Sequence, residues 1–284
     1  MTAPIVLVTG ATGRVGGAAL RHLRGRVPLR TAARRPPAPE PGVEWVRFAF
    51  ESPETFAPAL SGVGAVFLMR PPQMARARDF APFLDAAEAA GVRHVALLSV
   101  KGAERNPLLP HHRLERALRA RRWQATMIRP SDFMQNLETV LREGLVERDE
   151  IAVPAGRGRS AFVDVEDVGE AVARVLSEPA LAGRDATLTG PRALGFEEVA
   201  RILGEARGRP VRYRPVGPLR FLRESRARGE ARGLAAVMAA LYTAQRLGLA
   251  AEVTPDLTAL LGRPPTDLRA YAERARDRFL PAGA

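Results

Sequence analysis

Apolar residues lie along this chain in short blocks of two alternating kinds, which predict strands and helices in turn. The first block, 5–8, is rich in β-branched residues and leucine, as in a strand covered on both faces. The next block places Ala18, Ala19, Leu20 and Leu23 on one stripe of a helix. Further strands are predicted at 29–33, 43–50, 64–69, 94–99 and 125–128. Helices are predicted at 53–60 and from about 75 to 90.

This alternation of buried strand and helix predicts an α/β fold with a doubly wound parallel Rossmann sheet. Asp164 precedes a further helix whose apolar face includes Val168 and Val172. After residue 190 the pattern becomes helical, with apolar faces at 196–203, 234–247 and 268–279. We therefore expect an NAD(P)-binding Rossmann domain at 1–190 and a smaller, mostly helical substrate-binding lobe at 191–284.

A glycine triplet separates the first strand from the first helix. Gly10 permits a tight turn, Gly13 permits close approach of the backbone to phosphates, and Gly16 permits close packing of the helix on the strand. This arrangement places an anion at the helix N-terminus and predicts a dinucleotide pyrophosphate there. The predicted cofactor contacts of this loop are Gly10, Thr12, Gly13, Arg14, Val15 and Gly16.

The second strand indicates which dinucleotide binds. An NAD site usually has an Asp or Glu about twenty residues beyond the triplet, whereas here the strand is followed by Arg34 and Arg35. A guanidinium group matches a 2′-phosphate because its planar donor fork meets two oxygens at once. We therefore expect NADPH (or NADP) as the cofactor, with Arg34 the first candidate and Arg35 the second.

Composition narrows the remaining classes of function. The net charge is +12, but almost every cation is arginine and the cations are dispersed among acidic and apolar residues, so we expect no nucleic-acid partner. The chain has no cysteine, which excludes disulfides and thiolate chemistry, and its four histidines form no spaced metal motif. Its apolar runs have the length of strands, and no leader-like segment precedes them, which predicts a cytoplasmic protein without a membrane partner.

Several motifs together resemble the NmrA-like branch of the atypical short-chain dehydrogenases. The matching residues extend along most of the chain: Val8 to Gly16, Arg34, Leu97 to Ser99 with Gly102-Ala103, His111 with Glu115, Ile128 to Asn136, Asp164 to Asp167, Leu188 to Pro191, and Leu260 to Pro265. This branch includes NADPH-dependent quinone reductases and azoreductases, and also a redox-sensing transcriptional regulator. The resemblance implies a nicotinamide pocket lined by Met69, Arg70 and the adjacent Pro71, with Ser99 and Pro130, and a substrate cleft between the Rossmann domain and the C-terminal lobe.

The usual catalytic residues of short-chain dehydrogenases are missing. Ser99 lies in the expected place, but the Tyr-x-x-x-Lys helix instead carries His111 and His112, and all three tyrosines lie in the C-terminal lobe. Either histidine is a candidate proton donor; the alternative for His111 is a structural hydrogen bond to Glu115 one turn later. Ser99 is a candidate for substrate hydrogen bonding or for a plain turn at the strand end.

Without the tyrosine, a simple ketone is a poor acceptor, because hydride transfer to it forms a high-energy alkoxide. A quinone or another conjugated acceptor forms a delocalised anion that water protonates later, so we expect an NADPH-dependent reductase of quinone-like, enone or related aromatic substrates. The candidates for contact with such a substrate are Phe133, Asn136, Met238 and Tyr242, although a cap and core positions are equally ordinary uses of these residues.

Two other functions stay open. One is a non-catalytic NAD(P) sensor of the NmrA type, and the other is an isomerase or cyclase with an unconsumed cofactor. A homodimer also stays open at this point.

Overall fold

The computed structural model describes residues 4–38, 40–74 and 76–280. Its strands, in chain order, are β1 (Ile5–Thr9), β2 (Leu29–Ala33), β3 (Glu44–Arg47), β4 (Val63–Met69), β5 (His94–Leu98), β6 (Gln124–Pro130), β7 (Glu150–Val153), β8 (Arg159–Ser160), β9 (Ala186–Leu188), β10 (Leu194–Gly195) and β11 (Arg212–Pro215).

The α-helices of the described residues are α1 (Arg14–Leu23), α2 (Phe56–Leu60), α3 (Ala81–Ala89), α4 (Pro110–Arg119), α5 (Arg142–Arg148), α6 (Val165–Ser177), α7 (Phe196–Arg207), α8 (Pro218–Ala227), α9 (Arg232–Arg246), α10 (Asp256–Leu261) and α11 (Leu268–Arg274).

Seven strands form one parallel sheet in the order β3-β2-β1-β4-β5-β6-β9. From β1 the chain adds β2 and β3 towards one edge of the sheet, and from β4 it adds β5, β6 and β9 towards the other edge. The direction of strand addition therefore reverses between the neighbouring strands β1 and β4. Open α/β sheets bind ligands outside the carboxyl ends of their strands at such a reversal. The predicted α/β Rossmann class is therefore confirmed, and the glycine turn follows β1 at this reversal.

The chain divides into two compact units, each built from separated segments. Unit 1 comprises 1–130, 165–188 and 256–263, and unit 2 comprises 131–164, 189–255 and 264–284. The sequence predicted two domains separated by one boundary at residue 190, whereas each unit here is built from three separated segments. The reason is strand pairing: β7 pairs with β11 and β8 pairs with β10, so 131–164 folds with chain that follows residue 190.

Unit 1 holds the seven-stranded sheet and the buried apolar blocks of the sequence. Val6, Leu7 and Val8 in β1 are at most 2% exposed, as expected of a central parallel strand. Helix α10 also belongs to this unit: Asp256 accepts a hydrogen bond from Thr187 N at 2.8 Å, next to β9. Arg263, just after α10, pairs with Asp167 in α6 at 2.9 Å. Two of the motifs that carry the family resemblance, Asp164 to Asp167 and Leu260 to Pro265, therefore contact each other.

Unit 2 has its own apolar core, in which α7, α9 and α11 pack with two small sheets. The three predicted C-terminal helices correspond to α7, α9 and α11. The third predicted helix, 268–279, is divided into α11 and a following 3₁₀ turn at Arg276–Phe279. The prediction missed the short strands β7, β8, β10 and β11 of this unit, and also β9 of unit 1; each has two to four residues.

Other predicted elements differ at their ends. The predicted helix of 75–90 is a 3₁₀ turn at Ala77–Phe80 followed by α3, and Ala75 lies outside the described residues. The predicted strand of 43–50 is limited to the four residues of β3. Within the described residues, no helix has the length and apolarity needed to cross a membrane. The same residues contain no group of three acidic or histidine side chains that could hold a metal ion.

Candidate active site

The turn between β1 and α1 is compact enough that only glycine fits at its key positions. Gly10 has φ +66°, a backbone conformation that residues with a Cβ rarely adopt. Gly13 N–H donates to Gly10 O at 2.9 Å and closes the turn. A Cβ on Gly16 would lie 2.2 Å from Gly10 O, so the helix backbone rests directly on the turn. The division of roles expected for Gly10 and Gly16 matches this geometry.

The N-terminus of α1 is suited to an anion. Its first turn contains no acidic residue, and no described side chain caps it through a hydrogen bond. Gly10, Thr12, Gly13 and Arg14 are exposed around this end, whereas Val15 is 5% exposed and packs into the core. Backbone N–H groups at an exposed helix N-terminus are an established binding arrangement for phosphate.

Thr9 joins this turn to the neighbouring strand, a role that the sequence motif did not reveal. Its Oγ1 donates to Phe67 O and accepts from Met69 N, both at 2.9 Å. Met69 lies against the turn, because a Cβ on Gly10 would be 2.8 Å from Met69 Sδ. Met69, Arg70 and Pro71, each half-buried, are therefore fixed at the end of β4 beside the glycine turn.

Arg34 and Arg35 follow β2 directly and are exposed. Ala32 of β2 lies opposite Thr9 of β1, so the two chain segments leave the sheet at neighbouring points. Neither guanidinium forms an ion pair with any described residue, although most of the arginines that the structure describes do. The two cations are therefore available to a ligand beside the turn.

His111, the first candidate proton donor, lies beside Arg70. Arg70 Nε donates to His111 Nε2 at 3.3 Å, while Arg70 Nη1 donates to Met74 O at 2.9 Å. Burial, and then the charge of Arg70, lower the pKa of His111 to about 4, against an opposing effect of Glu115. His111 is therefore a neutral imidazole at neutral pH, with its proton on Nδ1.

The alternative expected for His111, a hydrogen bond to Glu115, is wrong. Glu115 Oε1 accepts from Ser99 Oγ at 2.5 Å and from Arg129 Nε at 2.9 Å, and Oε2 accepts from Arg129 Nη2 at 2.7 Å. Asp185 also accepts from Arg129, at 2.9 Å. Glu115 is 3% exposed and its oxygens are occupied by these donors, so His111 pairs with Arg70 instead.

Ser99 belongs to this buried network. The residue is 2% exposed, its hydroxyl donates to Glu115, and its N–H donates to Ile128 O at 2.7 Å. Lys101 N–H donates to Pro130 O at 3.0 Å, which continues the pairing of the chain after β5 with β6. Ser99 and Pro130 therefore hold together the ends of two neighbouring strands at the carboxyl edge of the sheet.

His112 is anchored differently from His111. Its Nδ1 lies 2.7 Å from Ala103 O, and a carbonyl oxygen only accepts, so Nδ1 carries the proton and donates. The ring therefore fixes the loop that follows Ser99 against the start of α4.

Three of the four predicted substrate contacts meet in unit 2. Asn136, Met238 and Tyr242 line one small pocket, which has about 270 Å³ of empty space including its mouth. Its interior is narrow, with room for about one water molecule. Phe133 does not line this pocket; it pairs through its backbone with Val163 and is half-buried.

The chain belongs to the NmrA-like family, whose family model matches residues 2–271. It is 28% identical over 289 residues to an NAD(P)H azoreductase of Xenophilus azovorans, with 99% of this chain and 100% of that protein covered. It is 30% identical to a (4-alkanoyl-5-oxo-2,5-dihydrofuran-3-yl)methyl phosphate reductase of Streptomyces griseus, with 98% and 100% covered. The expected family is therefore confirmed.

Solved structures agree with this family. The triphenylmethane reductase of Citrobacter sp. in complex with NADP(H) has a TM-score of 0.84 and 26% identity, with 96% of this chain and 99% of that chain covered. The quinone oxidoreductase QOR2 of Escherichia coli in complex with NADPH has a TM-score of 0.85 and 25% identity, with 95% and 99% covered.

The Arg70–His111 contact predicts how His111 titrates. We expect its ring signals in an NMR titration to stay those of a neutral imidazole down to pH 5.5, and Arg70→Met to raise its pKa by removing the nearby charge. The folded-state pKa lies below the unfolded value of about 6.5. His111 therefore stabilises the fold fully above that pH, and this contribution is lost as the pH falls towards 4.

His94 is the internal control for this titration. Burial alone lowers its pKa to about 4, and its Nε2 lies 2.9 Å from Thr126 Oγ1. Its titration should be the same in wild type and Arg70→Met. A His111 midpoint near 6.5 in wild type, or one that Arg70→Met leaves unmoved, contradicts the assignment.

Proposed function

We propose that this protein is an NADPH-dependent oxidoreductase that transfers hydride to a quinone-like, enone or related aromatic substrate. The observation that carries the proposal is the combination of the compact glycine turn with two unpaired arginines after the neighbouring strand. The relatives support it, since they are named as reductases of an azo compound, a dihydrofuranone phosphate, a triphenylmethane dye and a quinone.

The glycine turn and the arginines fit the two ends of the dinucleotide that carry phosphate. The backbone amides of Gly13 to Gly16 and the α1 N-terminus face the pyrophosphate, with Thr12 and Arg14 beside them. Arg34, supported by Arg35, binds the 2′-phosphate through charge-assisted hydrogen bonds. NADPH, when bound, supplies the hydride.

The ends of three neighbouring strands form the proposed wall for the nicotinamide. Met69, Arg70 and Pro71 follow β4, Ser99 follows β5, and Pro130 ends β6. The Ser99 hydroxyl donates to Glu115, which also accepts from Arg129, and these hydrogen bonds fix the end of β5. These residues position the ring and exclude water from one face, which is the contribution a protein makes when the cofactor carries the chemistry.

His111 is not a ready general acid, because it is neutral and its Nε2 accepts from Arg70. His112 is anchored through Nδ1 to Ala103 O, which leaves its Nε2 as the remaining candidate for proton exchange. The Ser99 hydroxyl donates to Glu115. A substrate whose reduced form is a delocalised, weakly basic anion needs no proton at the moment of transfer and takes one from water afterwards. The site therefore suits conjugated acceptors better than simple ketones.

The cofactor assignment is tested at Arg34. We expect Arg34→Ala to weaken NADPH binding by about 1.5–3 kcal/mol, the value of a hydrogen bond to a charged group, and to leave NADH binding nearly unchanged. Isothermal titration calorimetry measures both affinities. Arg223→Ala, at an exposed arginine of α8, is the matched control and should change neither. Equal losses for the two cofactors in Arg34→Ala contradict the 2′-phosphate assignment.

The reaction is tested by stopped-flow absorbance of NADPH with quinones, azo dyes, enones and unconjugated ketones. We expect faster oxidation with conjugated acceptors, and His111→Ala and His112→Ala should each cost less than the roughly 10²-fold of a lost general acid. A preference for plain ketones with a large effect of either histidine contradicts the acid-free mechanism. NADPH binding without oxidation by any acceptor would instead identify a sensor of the NmrA type.

A further inference from the structure

A third arginine without a partner lies close to the two that follow β2. Arg47 is the last residue of β3, the edge strand of the large sheet, and its side chain is exposed. Its guanidinium forms no hydrogen bond or ion pair with any described residue. Charged side chains are ordinary on edge strands, so the groups that surround Arg47 decide whether it has a further role.

Strand pairing places Arg47 close to Arg34 within unit 1. Ala33, the last residue of β2, lies opposite Arg47 in the parallel pair, and Arg34 is the next residue of the chain. Neighbouring strands are about 4.8 Å apart and consecutive Cα atoms about 3.8 Å, so the Cα atoms of Arg34 and Arg47 are at most about 9 Å apart. Two arginine side chains can reach one anion across that distance.

The alternation of side chains shows from which face of the sheet Arg47 projects. Val46 and Phe48, on either side of it in the chain, pack into the apolar cluster that contains the buried residues of α2 and α3. Arg47 therefore points to the opposite face. The buried residues of α1 lie outside that cluster, so α1 covers this opposite face. Arg47 and the N-terminus of α1 thus share one face of the sheet.

The register also fixes the level of Arg47 along the strands. Thr9 lies opposite Ala32, and Arg47 lies opposite Ala33, so Arg47 is level with Gly10, the first residue of the glycine turn. In a Rossmann fold the pyrophosphate lies at this turn, and the residue after the second strand contacts the adenosine ribose. The ribose 2′-position is therefore one strand away from the end of β3.

We propose that Arg47 is a third cation of the 2′-phosphate site, which it approaches from β3 while Arg34 and Arg35 approach from the end of β2. The inference rests on the proposed function and assigns a further specificity-determining residue for its cofactor. A phosphate monoester carries about −1.5 to −2 charges at pH 7, which a single guanidinium does not neutralise. A neighbouring strand that supplies a second direction of approach completes the neutralisation.

The test compares NADP⁺ with NAD⁺, which differ only in the 2′-phosphate. Isothermal titration calorimetry on the full chain, without a reducible substrate, measures both affinities. We expect wild type to prefer NADP⁺, and Arg47→Gln to reduce this preference about fivefold, the upper end for an exposed ion pair, with NAD⁺ affinity unchanged. Arg47→Lys keeps the charge and should retain most of the preference.

Arg93→Gln is the matched control. Arg93 is also exposed and belongs to unit 1, but it precedes β5 and therefore lies at the amino edge of the sheet, away from the glycine turn. This variant should keep the full preference for NADP⁺. Arg47→Thr removes the same charge with a residue suited to strands, and it replaces Arg47→Gln if that variant does not fold.

An NADP⁺ preference that Arg47→Gln leaves unchanged, or an equal loss of both affinities, overturns the role of Arg47 and leaves it a hydrated surface cation. Arg34→Ala still tests the proposed cofactor in either case. A wild type without any preference for NADP⁺ contradicts the proposed NADPH dependence together with the role of Arg47. Because neither dinucleotide reacts in this experiment, its result does not depend on turnover.

Discussion

The close contact between the backbones of Gly10 and Gly16 is the constraint on which the rest of the site depends. A Cβ on Gly16 would lie 2.2 Å from Gly10 O, a distance that no side chain tolerates. The contact brings the N-terminus of α1 directly over the end of β1, at the point where the strand order reverses. The helix end, the exposed arginines after β2 and the residues after β4 thereby meet at one edge of the sheet.

The chemistry of the site follows from how its polar groups are already occupied. The region that carries a tyrosine and a lysine in ordinary short-chain dehydrogenases here contains a buried network of Ser99, Glu115 and Arg129. Burial, and then the charge of Arg70, lower the pKa of His111, whose Nε2 accepts a hydrogen bond from Arg70. These contacts support the end of β5 and engage the Ser99 hydroxyl and His111 Nε2.

The sequence predicted the parts of the structure that depend on local pattern. The Gly10-Gly13-Gly16 spacing is a local signal for the turn, and the apolar blocks are local signals for the strands of the sheet, so both could be predicted. The short strands β7 to β11 escaped prediction because two to four residues show no clear periodicity. The contact of Glu115 with Arg129 also escaped prediction, since Glu115 lies on α4 and Arg129 on β6, and only folding brings the two together.

The pocket of unit 2 shows the same limit. Asn136, Met238 and Tyr242, which the sequence offered as candidate substrate contacts, line one pocket of unit 2, and their contact with a substrate stays a prediction. The hydrogen bond of Gln245 to Asp132 could not be predicted from the sequence, because the two residues are 113 positions apart along the chain. No local pattern links these two residues.

A crystal structure of the protein with NADP⁺ tests the central claim most directly. The account predicts the pyrophosphate on the backbone amides between Gly13 and Gly16, and the 2′-phosphate within hydrogen-bond distance of Arg34. A dinucleotide whose phosphates lie away from the α1 N-terminus, or whose 2′-phosphate contacts neither Arg34 nor Arg35, would contradict it.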